Sequence, residues 1–359
     1  MIAAMSARPP LDGATWTSGH GRFASAAGFV VAPVAHALDL SRFLPFDERG
    51  WTDALVSATR RHLAGCLNGV EASIVAELAA DGHLSAEGWA PRAWTGAQAH
   101  PQLIEARLIA HMRCRATVGL LARMQGVSAG GASPAAPTGE DFSWLHDDAG
   151  GELAMLAQRV ALAEQRWGAV GAEDDAMAPD LPADMFSDIV WTVTALIGGK
   201  GEVDRHALVD VAQQTCARHE DAGTPIEATT RIAALLDTAG HAGEALGKAL
   251  GQRRLLLFAA LAGRMLGVDT QAMLHLFVHA PAAELAAICH ALGGADTEFR
   301  HLLLQLKVAR TELNDSAILA LARDYDGLGG TVAEQVVAVL RGPAELRAKL
   351  ALLDTARAG

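Results

Sequence analysis

From Asp47 onward, apolar residues recur at spacings of three and four through long Leu/Ala-rich segments, the period of helices that bury one face. The pattern predicts helices over 48–64, 68–81, 101–125, 140–168, 183–197, 203–220, 225–238, 241–266, 269–278, 281–292 and 296–310. A tail adds 313–323, 330–341 and 343–356. Start signals fall at Asp269, at Thr224-Pro225 and at Asn314 or Asp315, where a side-chain oxygen can accept from the first free backbone N–H groups. Residues 1–46 lack this period and read as an irregular arm; "GFVVAPVA" is strand-like, but one strand makes no sheet. "SAGGASPAAPTGE" at 128–140 reads as a loop, and "GAEDDAMAPDLPAD" at 171–184 as an acidic, Pro-containing linker. The expected fold class is therefore all-α, a helical-repeat or bundle architecture. A first unit spans 47–170, the linker 171–184, a second unit 185–310 and a C-terminal helical cap 311–359.

One stretch recurs. "LLARMQGV" at 120–127 returns as "LAGRMLGV" at 261–268. On a helix, Ile109, Met112, Ala116, Leu120 and Met124 share a face, and Leu250, Arg253, Leu257, Leu261 and Met265 repeat it with Arg253 as the exception. Both copies are predicted to end at a left-handed glycine, Gly126 or Gly267, with Arg123 or Arg264 in the last turn and Val127 or Val268 folding back. Two weaker echoes, "WTDALVSAT" with "FSDIVWTVT" and "AGGELAML" with "AAELAAI", follow in the same order. The two units are therefore expected to be related by internal duplication, each covering apolar faces of the other. Convergence of Leu/Ala-rich helices on one composition is the alternative. "GPAELRAKLALLD" at 342–354 would be a truncated third echo.

Residues 246–306, "LGKALGQRRLLLFAALAGRMLGVDTQAMLHLFVHAPAAELAAICHALGGADTEFRHLLLQL", combine an aromatic followed by small and aliphatic residues, Phe258 to Leu261, with a Gly-capped end at Gly267 and a Gly-flanked helix pair. In these features the segment resembles an uncharacterised bacterial family of all-helical proteins with HEAT-like repeats. The resemblance covers about a sixth of the chain, and its motifs are packing positions. It implies a helical fold and supplies no catalytic residue.

Composition narrows the functions. A chain of 359 residues, half of them apolar, can bury a substantial core and suggests two domains. With 41 acidic against 29 basic residues, the net charge of -12 disfavours nucleic acid and anionic membrane partners. Cys66, Cys114, Cys216 and Cys289 form no C-x-x-C pair, which excludes a zinc ribbon and fits a reducing cytoplasm. The N-terminus does not read as a signal peptide, and no run reads as long enough to cross a bilayer. A cytoplasmic protein is expected, with no cofactor, with another protein as partner and with homo-oligomerisation open.

Candidate chemistry is sparse. His275 and His279 in "LHLFVHAP" stand one helical turn apart, the spacing with which two imidazoles can hold one metal ion. The alternative is a packed His275 and a His279 favoured by the helix dipole. His111, flanked by arginines in "LIAHMRCRATVG", and His62 in "RRHLAGCLNG" faintly suit phosphotransfer, although Met112, Arg113 and Cys114 stand where small residues would admit a partner. Cys216, His219 and Glu220 could form an activated thiol, but nothing local builds an oxyanion site. Arg113 with Arg115, and Arg253 with Arg254, could bind an acidic peptide or phosphate. Trp89 and Trp94, in the loop-like "EGWAPRAWTG", are candidates for an interaction surface. No catalytic residue is identified. These observations favour a non-enzymatic helical scaffold or regulatory adaptor mediating protein–protein interaction. The alternatives are a signalling protein related to histidine phosphotransfer bundles and a binder of an apolar small molecule between the helical layers of 255–277.

Overall fold

The computed structural model describes residues 51–128, 151–169, 171–199, 201, 203–220 and 223–342. The arm over 1–46, most of the loop over 128–140, the first part of the helix expected over 140–168 and the tail helix over 343–356 lie outside the described residues. The described chain is all-α. Its helices are α1 (Asp53–Ala80), α2 (Ala93–Ala99), α3 (Ala106–Ser128), α4 (Gly151–Gly168), α5 (Ala183–Gly198), α6 (Arg205–Ala217), α7 (Pro225–Thr238), α8 (Ala242–Gly251), α9 (Leu255–Leu266), α10 (Thr270–His279), α11 (Ala282–Ala291), α12 (Asp296–Leu306), α13 (Asp315–Tyr325) and α14 (Gly330–Leu340). Among the described residues no strand forms; Trp51 and Arg310 make one isolated antiparallel bridge.

The expected start signals are used. Thr224, Asp269 and Asn314 each accept a hydrogen bond from the backbone N–H three residues on, at 3.3, 3.0 and 2.9 Å. Beyond α2, which forms where a loop was expected, and the start of α3, five residues later than expected, three boundaries differ. α1 runs unbroken through Gly65, Asn68 and Gly69, where a break between two helices was expected. These glycines bring backbone close instead: Met177 N–H donates to Gly65 O at 2.8 Å, and a Cβ on Gly69 would overlap the Met177 carbonyl. The helix expected over 241–266 is two helices. Arg253 takes a left-handed φ of 58°, and Arg253 and Arg254 N–H close the end of α8 on Leu250 and Ala249 carbonyls. Conversely α3 continues through Gly126 to Ser128, whereas α9 stops at Gly267, φ 68°, with Val268 N–H on Gly263 O. Of the repeated face, Ala116, Leu120 and Met124 still match Leu257, Leu261 and Met265: two buried positions, then a methionine about two-fifths exposed.

Two large apolar cores organise these helices, with a small third cluster where Leu55 and Ala58 of α1 meet Ala116 and Leu120 of α3 and Ala309. One gathers α1, α2, the first half of α3, α5 and α6 around Leu67, Ile74, Met112, Ile189, Val193 and Leu208. The other gathers the second half of α3 with α4 and α7 to α14 around Val118, Trp167, Ile232, Leu257, Phe277 and Leu303. The chain thus exchanges sides. α4, which precedes the segment over 171–184, packs with α7, while α5 and α6, which follow it, pack on α1. That segment is fastened along α1: Asn68 Nδ2 donates to Glu173 O at 2.9 Å, and the Glu173 carboxylate pairs with Arg60 at 2.9 Å. By length and composition α1 is apolar enough to cross a membrane, but 61% of its most apolar window is buried inside the protein, and its packing against α3, α5 and α6 is that of a core helix.

Candidate metal centre

α3 belongs to both cores, and the change of side falls between Met112 and Cys114. At this boundary α10 packs against α3. Residues three or four apart on a helix share a face, so α3 presents His111 with Cys114 and α10 presents His275 with His279. Cys114, His275 and His279 converge, with one ligand-capable atom of each lying within 4.8 Å of the others. Cys114 Sγ stands 3.6 Å from His279 Nε2. The His275 and His279 rings are 5.6 Å apart at their centroids, edge to face, and the His111 ring is 6.4 Å from that of His275. A tetrahedral ion with bonds of about 2.3 Å to sulfur and 2.0–2.1 Å to nitrogen sets its sulfur and nitrogen roughly 3.6 Å apart. The observed separation meets that requirement. Without an ion, His279 Nε2 can donate to Ala110 O, 3.2 Å away, and so pin the helices by a hydrogen bond.

The electrostatics suit neutral imidazoles. Burial pushes His275 down to about 4 and holds His111 and His279 well below the usual histidine range; Arg115 and then His275 add to the effect at His111, and Arg113 and then His275 at His279. Burial pushes the Cys114 thiol up, partly offset by Arg113. A bound ion reverses that preference, because coordination deprotonates a thiol outright. Arg113 is itself lowered to about 9, chiefly by burial, with its guanidinium carbon 3.5 Å from the centroid of the Trp51 ring. His111 exposes no surface, and neither of its ring nitrogens has a hydrogen-bond partner among the described residues; His275 Nε2 is enclosed in the same way. His62, on α1, is also fully buried, and burial holds it well below the usual range, as do Arg115 and Arg61.

The remaining candidates are engaged elsewhere. His62 and His111 present no ring to a phosphoryl donor. Cys216 points to Ser187 Oγ at 3.8 Å, and His219 stacks on Phe186 at 4.0 Å with Nε2 2.8 Å from Leu181 O, so each has its own partner. Trp89 and Trp94 are tied inward: their indole N–H groups donate to the carboxylates of Glu71 and Glu173 at 3.0 and 2.8 Å. Arg115 is buried, donates to Cys66 Sγ at 3.1 Å and to the Pro179 carbonyl, and lies over the Trp167 ring. Arg254 makes a buried ion pair with Glu164. Arg253 stands at the left-handed break between α8 and α9. The apolar side chains over 255–277 are for the most part buried in the larger core.

The sequence pointed to His275 and His279 and missed their partner. Cys114 follows His111 by three residues in "HMRC", a second one-turn pair of metal-ligand types. What concealed it was distance along the chain, since Cys114 and His279 are 165 residues apart. Compared with protein-family models, curated proteins and solved structures, the chain matches none, so the role of this site rests on its own geometry.

Proposed function

We propose that this is a non-enzymatic helical protein that binds one transition-metal ion between α3 and α10, with Cys114, His275 and His279 as ligands. The observation that carries the reading is the convergence of three ligand atoms within 4.8 Å, from two helices that meet where the cores join. A thiolate with imidazoles favours ions of borderline or soft character over calcium or magnesium, which take oxygen ligands. The ion would complete a contact between helices, so the broader role remains that of a scaffold. An adaptor surface would then lie away from the buried arginines and indoles named above. The phosphotransfer reading is weaker, because a histidine without exposed surface cannot meet a donor domain.

Full-length protein prepared without a polyhistidine tag and dialysed free of loose ions should retain close to one equivalent of metal by plasma mass spectrometry. The C114S/H275A double variant should retain none. An ion-free wild-type protein that also fails to take up added Zn²⁺ would overturn the proposal.

A further inference from the structure

We propose that His111 is the fourth ligand of this site, closing it as a tetrahedral centre of one cysteine and three histidines that holds a divalent ion of the zinc class in a structural role. This rests on the metal-binding reading above. α3 and α10 would then contribute alike, each with a pair of ligands one helical turn apart, His111 with Cys114 and His275 with His279. Facing helices of bundles build metal sites in this way.

His111 calls for such a partner. A neutral imidazole carries one donor and one acceptor, and a polar group buried without a partner forfeits its hydration with nothing in return. Both ring nitrogens of His111 are in that condition among the described residues, with the side chain fully buried. Its ring centroid lies 6.4 Å from that of His275, only slightly more than the 5.6 Å between His275 and His279. Among the described residues only Cys114, His275 and His279 have ligand atoms within 4.8 Å of one another, so the His111 ring must turn and shift toward them to bring a nitrogen to the ion. The ligand set specifies the metal class: one thiolate, three imidazoles and no carboxylate in tetrahedral array suit zinc. It also specifies the role, because four protein ligands leave no open position for substrate or water. On binding, Cys114 gives its proton to solvent and the S–H bond is replaced by an S–metal bond. The imidazoles stay neutral, and His279, whose Nε2–H donates to Ala110 O in the ion-free protein, releases that proton to solvent and takes one up at Nδ1 so that Nε2 can bind. The thiolate also offsets the positive charge that Arg113 and Arg115 bring to the site.

Titration of chelator-treated full-length protein with Co²⁺ tests this. The wild type should show the intense visible bands of tetrahedral cobalt and one thiolate-to-cobalt charge-transfer band. H111A should bind at least about tenfold more weakly, since loss even of a partner outside the ligand shell costs 10–100-fold, and its visible bands should weaken as water enters. H111C should add a second thiolate and roughly double the charge-transfer intensity, a gain that no merely structural loss can produce. H62A, a truncation of a similarly buried histidine, should leave the spectrum unchanged. An H111A spectrum and affinity equal to the wild type, with H111C showing the intensity of one thiolate, overturns the role of His111 and leaves the three-ligand reading standing. If wild-type protein binds no Co²⁺ at all, both readings fail.

Discussion

Glu71 is buried in the middle of α1, yet its carboxylate is well provided for. It accepts from Trp89 Nε1 at 3.0 Å, from the Arg92 backbone N–H at 2.9 Å and from the Ala93 N–H at 2.7 Å. One side chain thus closes the turn that leads into α2 and fixes the indole that looked, in sequence, like exposed ring surface. Hydrogen bonds to a charged group contribute about 1.5–3 kcal/mol each, and their loss strands several donors, so E71A should destabilise the protein by on the order of 3 kcal/mol in urea unfolding. E71Q should lose less; a loss below about 1 kcal/mol for E71A would show that the carboxylate does not hold the turn. The buried histidines give a second expectation. Their folded values lie below the unfolded value of 6.5, so the unfolded chain binds more protons in the interval between. The histidines' contribution to the stability of the metal-free protein should therefore be level above pH 6.5 and fall as the pH drops from 6.5 toward 4. Equal urea midpoints at pH 7 and pH 5 would contradict this.

At the scale of elements, much was legible because helix periodicity and caps are local. Thr224, Asp269 and Asn314 mark helix starts by chemistry that needs no knowledge of the rest of the fold. What could not be read depended on partners distant in sequence. Gly65 and Gly69 look like helix breakers until the segment carrying Met177 is laid on them. Arg253 looks like one position on a continuous face until Arg254 is drawn inward to Glu164. The same limit hid half of the site: "HLFVH" already shows a pair of ligand types one turn apart, but "HMRC" gains its meaning only when α3 is laid against α10. G69A tests the close approach directly. A methyl group there would push against backbone, which cannot swing aside as a side chain can, so the variant should lose about 1–3 kcal/mol although alanine favours helix. No loss, or a gain, would mean that the segment over 171–184 can leave α1 without cost.

For the whole molecule, the arrangement that matters is two cores sharing α3, with the chain exchanging sides so that neither core is built from one continuous half. A contact between α3 and α10 is therefore also a contact at the boundary of the cores. An ion there would raise stability by mass action, by roughly 2.7 kcal/mol at a hundred times its Kd, and protect amides of α3 and α10 from exchange. The most direct test of the account is X-ray absorption at the zinc edge on the zinc-loaded full-length protein. It should show one sulfur near about 2.3 Å and three nitrogens at about 2.0–2.1 Å. A shell of light atoms without sulfur would place the ion elsewhere and contradict the assignment to Cys114, His275, His279 and His111.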